Sequence, residues 1–235
     1  MPSSSQAKMT TVTTLFTPTV MVLQTTLFLT AWLTIYLLIQ LYGPYPVISS
    51  LTRYNSRIYS FLSLLLLLLI LSPYETLARE AYHLSKIYEY IDIFGVVAAG
   101  GHVGLHFGFH HTTTVWLTFV RVLPEGENEG WRWFAAANAA HHVLMYAYFG
   151  GWNGELMRRV LVVTGLVQLG LGMVVDAVVA WGRWYGLGGW WRMAVSGALL
   201  GGYMVLSLME MRQREEERAR EAKLGTREGG KEKDK

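Results

Sequence analysis

The sequence contains no cysteine. Disulfide bonds, thiolate nucleophiles and cysteine-ligated metal sites are therefore excluded, while the redox compartment stays open. Charge is also scarce along most of the chain, because the first 211 of the 235 residues carry only 21 of its 37 charged side chains. A soluble domain of that size needs many more surface charges. Together with a hydrophobic content of 52%, this scarcity predicts an integral membrane protein.

The remaining charges are concentrated at the C-terminal end. Residues 212–235 hold nine Lys/Arg and seven Asp/Glu, which together contribute +2 to the formal net charge of +3. Because both signs are mixed there, the tail gives no reason to expect nucleic acid as a partner. Cations next to the last apolar run favour a cytosolic C-terminus. Lys231 and Lys233 resemble the dilysine retrieval signal of endoplasmic-reticulum membrane proteins; the alternative is a solvated lysine-rich end.

Seven stretches are compatible with the roughly 20 residues that a helix needs to cross a bilayer core. They cover about residues 19–41, 56–74, 84–101, 105–123, 131–150, 160–181 and 189–209. We therefore predict an all-α membrane protein with seven transmembrane helices in residues 19–210 and a charged cytosolic tail in residues 211–235. Residues 1–18 are predicted to be a disordered lumenal N-terminus. The lack of a small-residue cleavage site argues against a cleaved signal peptide.

All seven histidines lie between residues 83 and 142. In the fourth predicted span, His106 and His110 are four residues apart and share a helix face, while His111 is turned by about 100°. A histidine inside an apolar helix is often a packed, hydrogen-bonded residue, but three within six residues favour a functional role. Imidazole suits a general acid or base, a nucleophile that forms an acyl-imidazole, or a metal ligand.

The third predicted span carries Lys86, Glu89 and Asp92 at spacings of three, which places them on much the same helix face. An ionisable side chain at the centre of a membrane helix costs about 2.5 to 3.5 kcal/mol. Two interpretations follow from this cost. The residues form an internal ion pair that orients the helix, or they form the polar wall of a cavity in which Lys86 attracts an anionic group.

The fifth predicted span places Asn138 and His142 four residues apart on one face. Asn138 is therefore in a position to fix the tautomer of His142 by hydrogen bonding. Tyr146 lies one turn further on and is a candidate donor to a developing negative charge. Tyr148 is more typical of an aromatic belt at the membrane interface.

Several of these elements, in this order, resemble motifs of the very-long-chain fatty acid elongase family. The similar segments are Tyr54-Asn55, the run from Lys86 through Glu89 to Asp92, the histidine box at 106–111, the run from Asn138 through His142 to Tyr146, and Gln168. Two departures stand out. The box has three residues between His106 and His110 instead of two, with Phe107 at the expected first position, and Gly165 replaces the first glutamine of the Gln-x-x-Gln element.

The resemblance implies that helices two to seven form a barrel around a narrow acyl tunnel, with the first helix outside. It also implies an endoplasmic-reticulum acyltransferase that condenses acyl-CoA with malonyl-CoA to 3-ketoacyl-CoA and CO2, with no cofactor or metal. The implied catalytic residues are His110 as the nucleophile, His142 acting on malonyl-CoA, and His111 and His106 orienting the box. The implied substrate-binding residues are Lys86, Glu89, Asp92, Asn138, Tyr146 and Gln168.

Two other functions stay open at this stage. A membrane di-iron fatty acid desaturase or hydroxylase also uses histidine boxes, although His83 and His102 are poorly grouped for one here. A seven-helix transporter would use the histidines as a proton relay. Membrane lipid is an expected partner in every case, and other elongation-cycle enzymes are expected partners of an elongase. Small residues on the seventh span, Gly197, Gly201 and Gly202, permit close helix packing either within the chain or in a homodimer.

Overall fold

The computed structural model describes residues 16–123, 130–184 and 190–231, and its regular structure is helical. Most of the predicted N-terminal segment, the loop at 124–129 and Lys233 of the predicted retrieval signal lie outside the described residues. The helices are α1 (Pro18–Tyr42), α2 (Val47–Leu71), α3 (Glu75–Tyr88), α4 (Tyr90–Ala98), α5 (Leu105–Arg121), α6 (Trp131–Phe149), α7 (Glu155–Trp184) and α8 (Trp190–Lys231).

Four helices are long and apolar enough to cross a membrane. They are α1, α2, residues Glu155–Gly182 of α7 and residues Trp190–Glu217 of α8. The chain is therefore a multi-pass helical membrane protein. Helices α5 and α6, with 17 and 19 residues, correspond to the fourth and fifth predicted spans. The total of seven spans stays a prediction.

The ends of α1 follow from local sequence chemistry. The hydroxyl of Thr17 accepts a hydrogen bond from the Val20 amide at 3.3 Å, and Pro18 occupies the first turn, where its missing N–H costs nothing. The helix ends at Gly43, whose φ of 81° is readily adopted only by glycine. Pro44 follows and cannot continue the helix.

The third predicted span differs most from the structure. We predicted one helix over 84–101, but the polypeptide forms α3 from Glu75 and α4 from Tyr90, with Glu89 between them. At this residue the helix takes a 3₁₀-type hydrogen bond, in which the Glu89 carbonyl accepts from the Asp92 amide three residues ahead, at 3.1 Å. The start was missed because residues 75–83 are polar, whereas the structure buries Arg79.

Helix packing brings distant parts of the chain around the polar residues of α3 and α4. Neighbouring pairs include α2 with α6, α6 with α7, α7 with α8, α8 with α5, α5 with α3, and α3 with α2. Helix α1 packs mainly on α4. Two apolar clusters form the core, one containing Tyr82 and Phe134 and the other containing Phe28 and Tyr90. In the sequence, Lys86 and Glu89 therefore lie between Tyr82 of the first cluster and Tyr90 of the second.

Candidate active site

A buried ion pair lies where α3 gives way to α4. Nζ of Lys86 is 2.6 Å from Oε1 of Glu89, and each side chain is only 1% exposed. Burying either charge alone in an apolar interior would be very unfavourable, so the two side chains depend on each other. The three-residue spacing that suggested a pair in the sequence is thus realised as a contact.

Asn138 connects this ion pair to its own helix, α6, and to α7. Its Oδ1 accepts hydrogen bonds from Lys86 Nζ at 2.6 Å and from the Tyr82 hydroxyl at 2.8 Å. Its Nδ2 donates to Gln168 Oε1 at 2.9 Å and lies 3.4 Å from His142 Nε2. An amide offers two acceptor sites and two donor hydrogens, so this environment uses all four and fixes the orientation of the amide.

Glu89 contacts two histidines through two different groups. Its carboxylate oxygen Oε1 lies 3.1 Å from Nδ1 of His142, and its backbone carbonyl lies 2.9 Å from Nδ1 of His111. A carbonyl oxygen only accepts, so His111 carries its proton on Nδ1 and keeps a lone pair on Nε2. The Tyr59 hydroxyl is a further neighbour, 3.0 Å from Oε1 of Glu89.

His110 lies next to this network but is held in a different way. Its Nδ1 is buried and has no hydrogen-bond partner among the residues that the structure describes. The ring instead packs against other rings, with centroids 4.7 Å from Tyr203 and 5.5 Å from His111. The residue as a whole is half-buried.

His106 lies apart from the buried network. Its Nδ1 is 3.5 Å from Oε2 of Glu210 on α8, and its side chain is 27% exposed. Glu210 also pairs with Arg214 at 2.5 Å. The ring of Phe107, the next residue, has its centroid 4.4 Å from that of His111. His106 therefore lies at the contact between α5 and α8.

Asp92 and Tyr146 form a separate contact at the edge of the network. The Tyr146 hydroxyl donates a hydrogen bond to Oδ2 of Asp92. The ring of Tyr146 packs edge-on against Tyr59, with centroids 4.4 Å apart, and lies 5.5 Å from the ring of His142. Tyr146 thus already has an acceptor for its proton, and it connects Asp92 to the side of the network that contains His142.

A protein-family model supplies independent information about this arrangement. The model named ELO, the GNS1/SUR4 family, matches residues 6–211. The chain belongs to the ELO family. Every predicted site residue falls inside the matched segment, and the resemblance to fatty acid elongases is confirmed. No curated protein and no solved structure matches the chain. ELO membership identifies fatty acid elongation within lipid biosynthesis as the broad function, with acyl-CoA as the substrate type.

The other histidines of this ELO protein occupy separate surroundings. His83 Nδ1 is 2.7 Å from the Thr118 hydroxyl, and His141 Nδ1 is 2.8 Å from the Thr164 hydroxyl. Within residues 16–123, 130–184 and 190–231, no group of three or more His, Asp or Glu side chains is arranged to hold a metal ion. The family match favours an elongase over the desaturase and transporter alternatives.

Three tyrosines of the site were not predicted: Tyr59, Tyr82 and Tyr203. For two of them, helical spacing from other polar residues could have pointed to the site. Tyr82 lies one turn before Lys86, and Tyr59 shares a buried face of α2 with Ser56 and Ser63 at spacings of three and four. Tyr203 gave no comparable signal, because its relation to His110 depends on how α8 packs on α5.

Proposed function

We propose that this ELO protein condenses acyl-CoA with malonyl-CoA to give 3-ketoacyl-CoA, CO2 and free CoA. The observation that carries the proposal is the buried polar network in which Glu89 and Asn138 contact His142 while Glu89 also contacts His111, the neighbour of His110. Burying such polar groups in an apolar helix bundle is unfavourable unless each has a hydrogen-bond partner. Ionisable side chains inside membrane helices are typically functional.

In the first stage, a ring nitrogen of His110 attacks the thioester carbonyl of acyl-CoA. The C–N bond forms, the C–S bond breaks, and the proton of the imidazole passes to the departing sulfur, which leaves as free CoA. The product is an acyl-imidazole. Because Nδ1 of His110 is buried, we assign the attack to Nε2. His111, which is bonded to the Glu89 carbonyl, orients the box.

In the second stage, malonyl-CoA loses CO2 and its α-carbon attacks the acyl group. A new C–C bond forms, the C–N bond to His110 breaks, and the imidazole regains a proton from the medium. Charge develops on the thioester oxygen of malonyl-CoA during decarboxylation, and nearby positive charge stabilises it. We assign to His142, whose two ring nitrogens are held by Glu89 and Asn138, the placing of malonyl-CoA for this step.

The remaining polar residues receive supporting roles in this proposal. Lys86, Glu89, Asp92, Asn138, Tyr146 and Gln168 form the polar end of the substrate cavity. Lys86 contributes positive charge near the malonyl carboxylate, and its pairing with Glu89 keeps the site neutral overall. Asp92 and Tyr146 support the wall behind His142. His106 holds the start of α5 against α8.

The proposed architecture is a barrel in which α2 to α8 enclose an acyl tunnel and α1 lies outside. It is supported by the circular order of helix contacts and by the packing of α1 on α4. The proposed location is the endoplasmic-reticulum membrane, with the cation-rich end of α8 in the cytosol. That orientation puts the start of α5, and hence the histidine box, on the side where soluble CoA esters are supplied.

The test uses full-length protein reconstituted in liposomes with labelled malonyl-CoA and a panel of acyl-CoAs. We expect labelled 3-ketoacyl-CoA from the unaltered protein and none from His110→Ala or His142→Ala. Mass spectrometry of the protein incubated with acyl-CoA alone should find the acyl group on His110. His102→Ala is the matched control, since His102 is exposed. Condensation by both site variants in folded form would refute the proposal.

A further inference from the structure

Tyr203 of α8 packs against His110, and the sequence gave no reason to single it out. It is only 1% exposed, although it carries a hydroxyl group. Its ring meets the ring of His110 edge-on, with centroids 4.7 Å apart and planes at 69°. Edge-to-face contacts of this kind are favourable and depend on orientation.

The hydroxyl of Tyr203 has a defined partner on α5. It lies 2.8 Å from Oγ1 of Thr113. The proton of Thr113 is already donated to the carbonyl of Phe109, at 2.7 Å, so Thr113 accepts and Tyr203 donates. The tyrosine proton therefore points toward Thr113, and Tyr203 reaches His110 through its ring.

This geometry matters because no hydrogen bond at Nδ1 orients the imidazole of His110 within the described part of the chain. His111 and His142 each have an acceptor at Nδ1, whereas His110 is held by ring packing. We infer that Tyr203, fixed by its hydrogen bond to Thr113, is a positioning residue that sets the orientation of the His110 ring for attack on the thioester. The inference rests on the proposed role of His110 as nucleophile.

The experiment measures acylation alone, as the rate of CoA release from acyl-CoA before malonyl-CoA is added. Tyr203→Phe and Thr113→Val each remove the hydrogen bond and keep the bulk of the side chain. We expect each to slow CoA release on the order of tenfold, because small displacements of a reacting group are costly. The Michaelis constant for acyl-CoA should stay within about twofold, since binding of the substrate is not altered.

The double variant Tyr203→Phe/Thr113→Val gives the sharper result. Because both changes act through one hydrogen bond, it should be no slower than either single variant. Thr112→Val is the matched control, because within the described part of the chain the Thr112 hydroxyl bonds to the Gly108 carbonyl of its own helix and not to Tyr203. Tyr203→Leu, which also removes the ring, should slow release on the order of a hundredfold.

The outcomes separate the two claims. If the unaltered protein releases no CoA before malonyl-CoA is added, the two-stage function is wrong. If it does release CoA, and Tyr203→Phe and Thr113→Val release it at the same rate, the positioning role is wrong and the proposed function stands. Thermal unfolding is measured on every variant, and a slower rate explained fully by a smaller folded fraction also overturns the positioning role.

Discussion

The Glu89 carboxylate lies 3.1 Å from Nδ1 of His142, and this contact joins the junction of α3 and α4 to the middle of α6. The same carboxylate oxygen accepts from Lys86 at 2.6 Å. The histidine proton on Nδ1 is thereby directed to Glu89, and Nε2 is left facing Asn138. One acidic residue thus balances a buried ammonium group and sets the tautomer of a proposed catalytic histidine.

Glu89→Gln tests both roles of this carboxylate. The amide has nearly the same shape but no charge, so buried Lys86 would lose the carboxylate that it contacts. We expect the free energy of unfolding to fall by about 3 to 5 kcal/mol. Condensation should fall by at least about a hundredfold, because the orientation of His142 is no longer supported by a charge. Thermal unfolding in detergent and the liposome assay measure the two effects.

The double variant Lys86→Met/Glu89→Gln separates stability from activity. Removing both charges should recover most of the stability lost in Glu89→Gln, because no unpaired charge is buried. Activity should not recover, since Lys86 and Glu89 are both assigned to the substrate cavity. If the double variant were as unstable as Glu89→Gln, loss of the Lys86–Glu89 ion pair would not explain the destabilisation of the single variant.

Asn138 offers a second test, because its amide oxygen and its amide nitrogen bond to different partners. Asn138→Asp keeps acceptors for Lys86 and Tyr82 but loses the donors to Gln168 and His142. Asn138→Ala loses all four contacts, and each buried polar group left unpaired costs about 1 to 3 kcal/mol. We therefore expect Asn138→Ala to be the less stable protein and both variants to lose condensation.

Thermal unfolding and product formation are compared with those of Asn153→Ala, a change at an exposed asparagine. That control should stay within about 0.5 kcal/mol of the unaltered protein. Full activity of Asn138→Asp would show that donation to His142 and Gln168 is dispensable.

His106 is expected to behave unlike His110. Its contact with Glu210 is partly exposed, and such pairs contribute about 0 to 1 kcal/mol. His106→Ala should therefore retain most of the condensation activity and nearly the same unfolding temperature, whereas His110→Ala should be inactive. Equal loss in the two variants would mean that His106 enters the reaction site when substrate binds.

The sequence was most informative about relations within one helix. The apolar run at 19–41 corresponds closely to α1, and the four-residue spacing of Asn138 and His142 correctly suggested their contact. Contacts between helices had no such signal. The approach of Lys86 to Asn138, and of the Glu89 carbonyl to His111, depends on how α3 packs against α5 and α6.

Helix boundaries were predicted well only where hydropathy defines them. The start of α3 was missed because Glu75 and Arg79 make the segment polar, although Arg79 is buried through its bonds to Glu75 and to the Val122 carbonyl. The end of α8 was missed because the helix continues beyond the apolar span. The Glu210–Arg214 pair at i,i+4 supports that continuation.

Gly130, at the start of α6, gives a prediction about stability that does not depend on the reaction. Its φ is +83°, and a methyl group placed there would overlap Cγ1 of Val175. Gly130→Ala should therefore lower the free energy of unfolding by about 1 to 3 kcal/mol, from backbone strain and overlap together. Thermal unfolding in detergent measures this loss.

Two variants distinguish the causes of that loss. Gly130→Ala/Val175→Ala removes the overlapping methyl groups of Val175 and should recover only the steric part, leaving the cost of the positive φ. Gly197→Ala is the control, because Gly197 lies within α8 and a methyl group there meets nothing within 4 Å. It should be neutral or stabilising by up to about 1 kcal/mol. If Gly130→Ala were as stable as Gly197→Ala, the left-handed conformation and close contact of Gly130 would not be required for the start of α6.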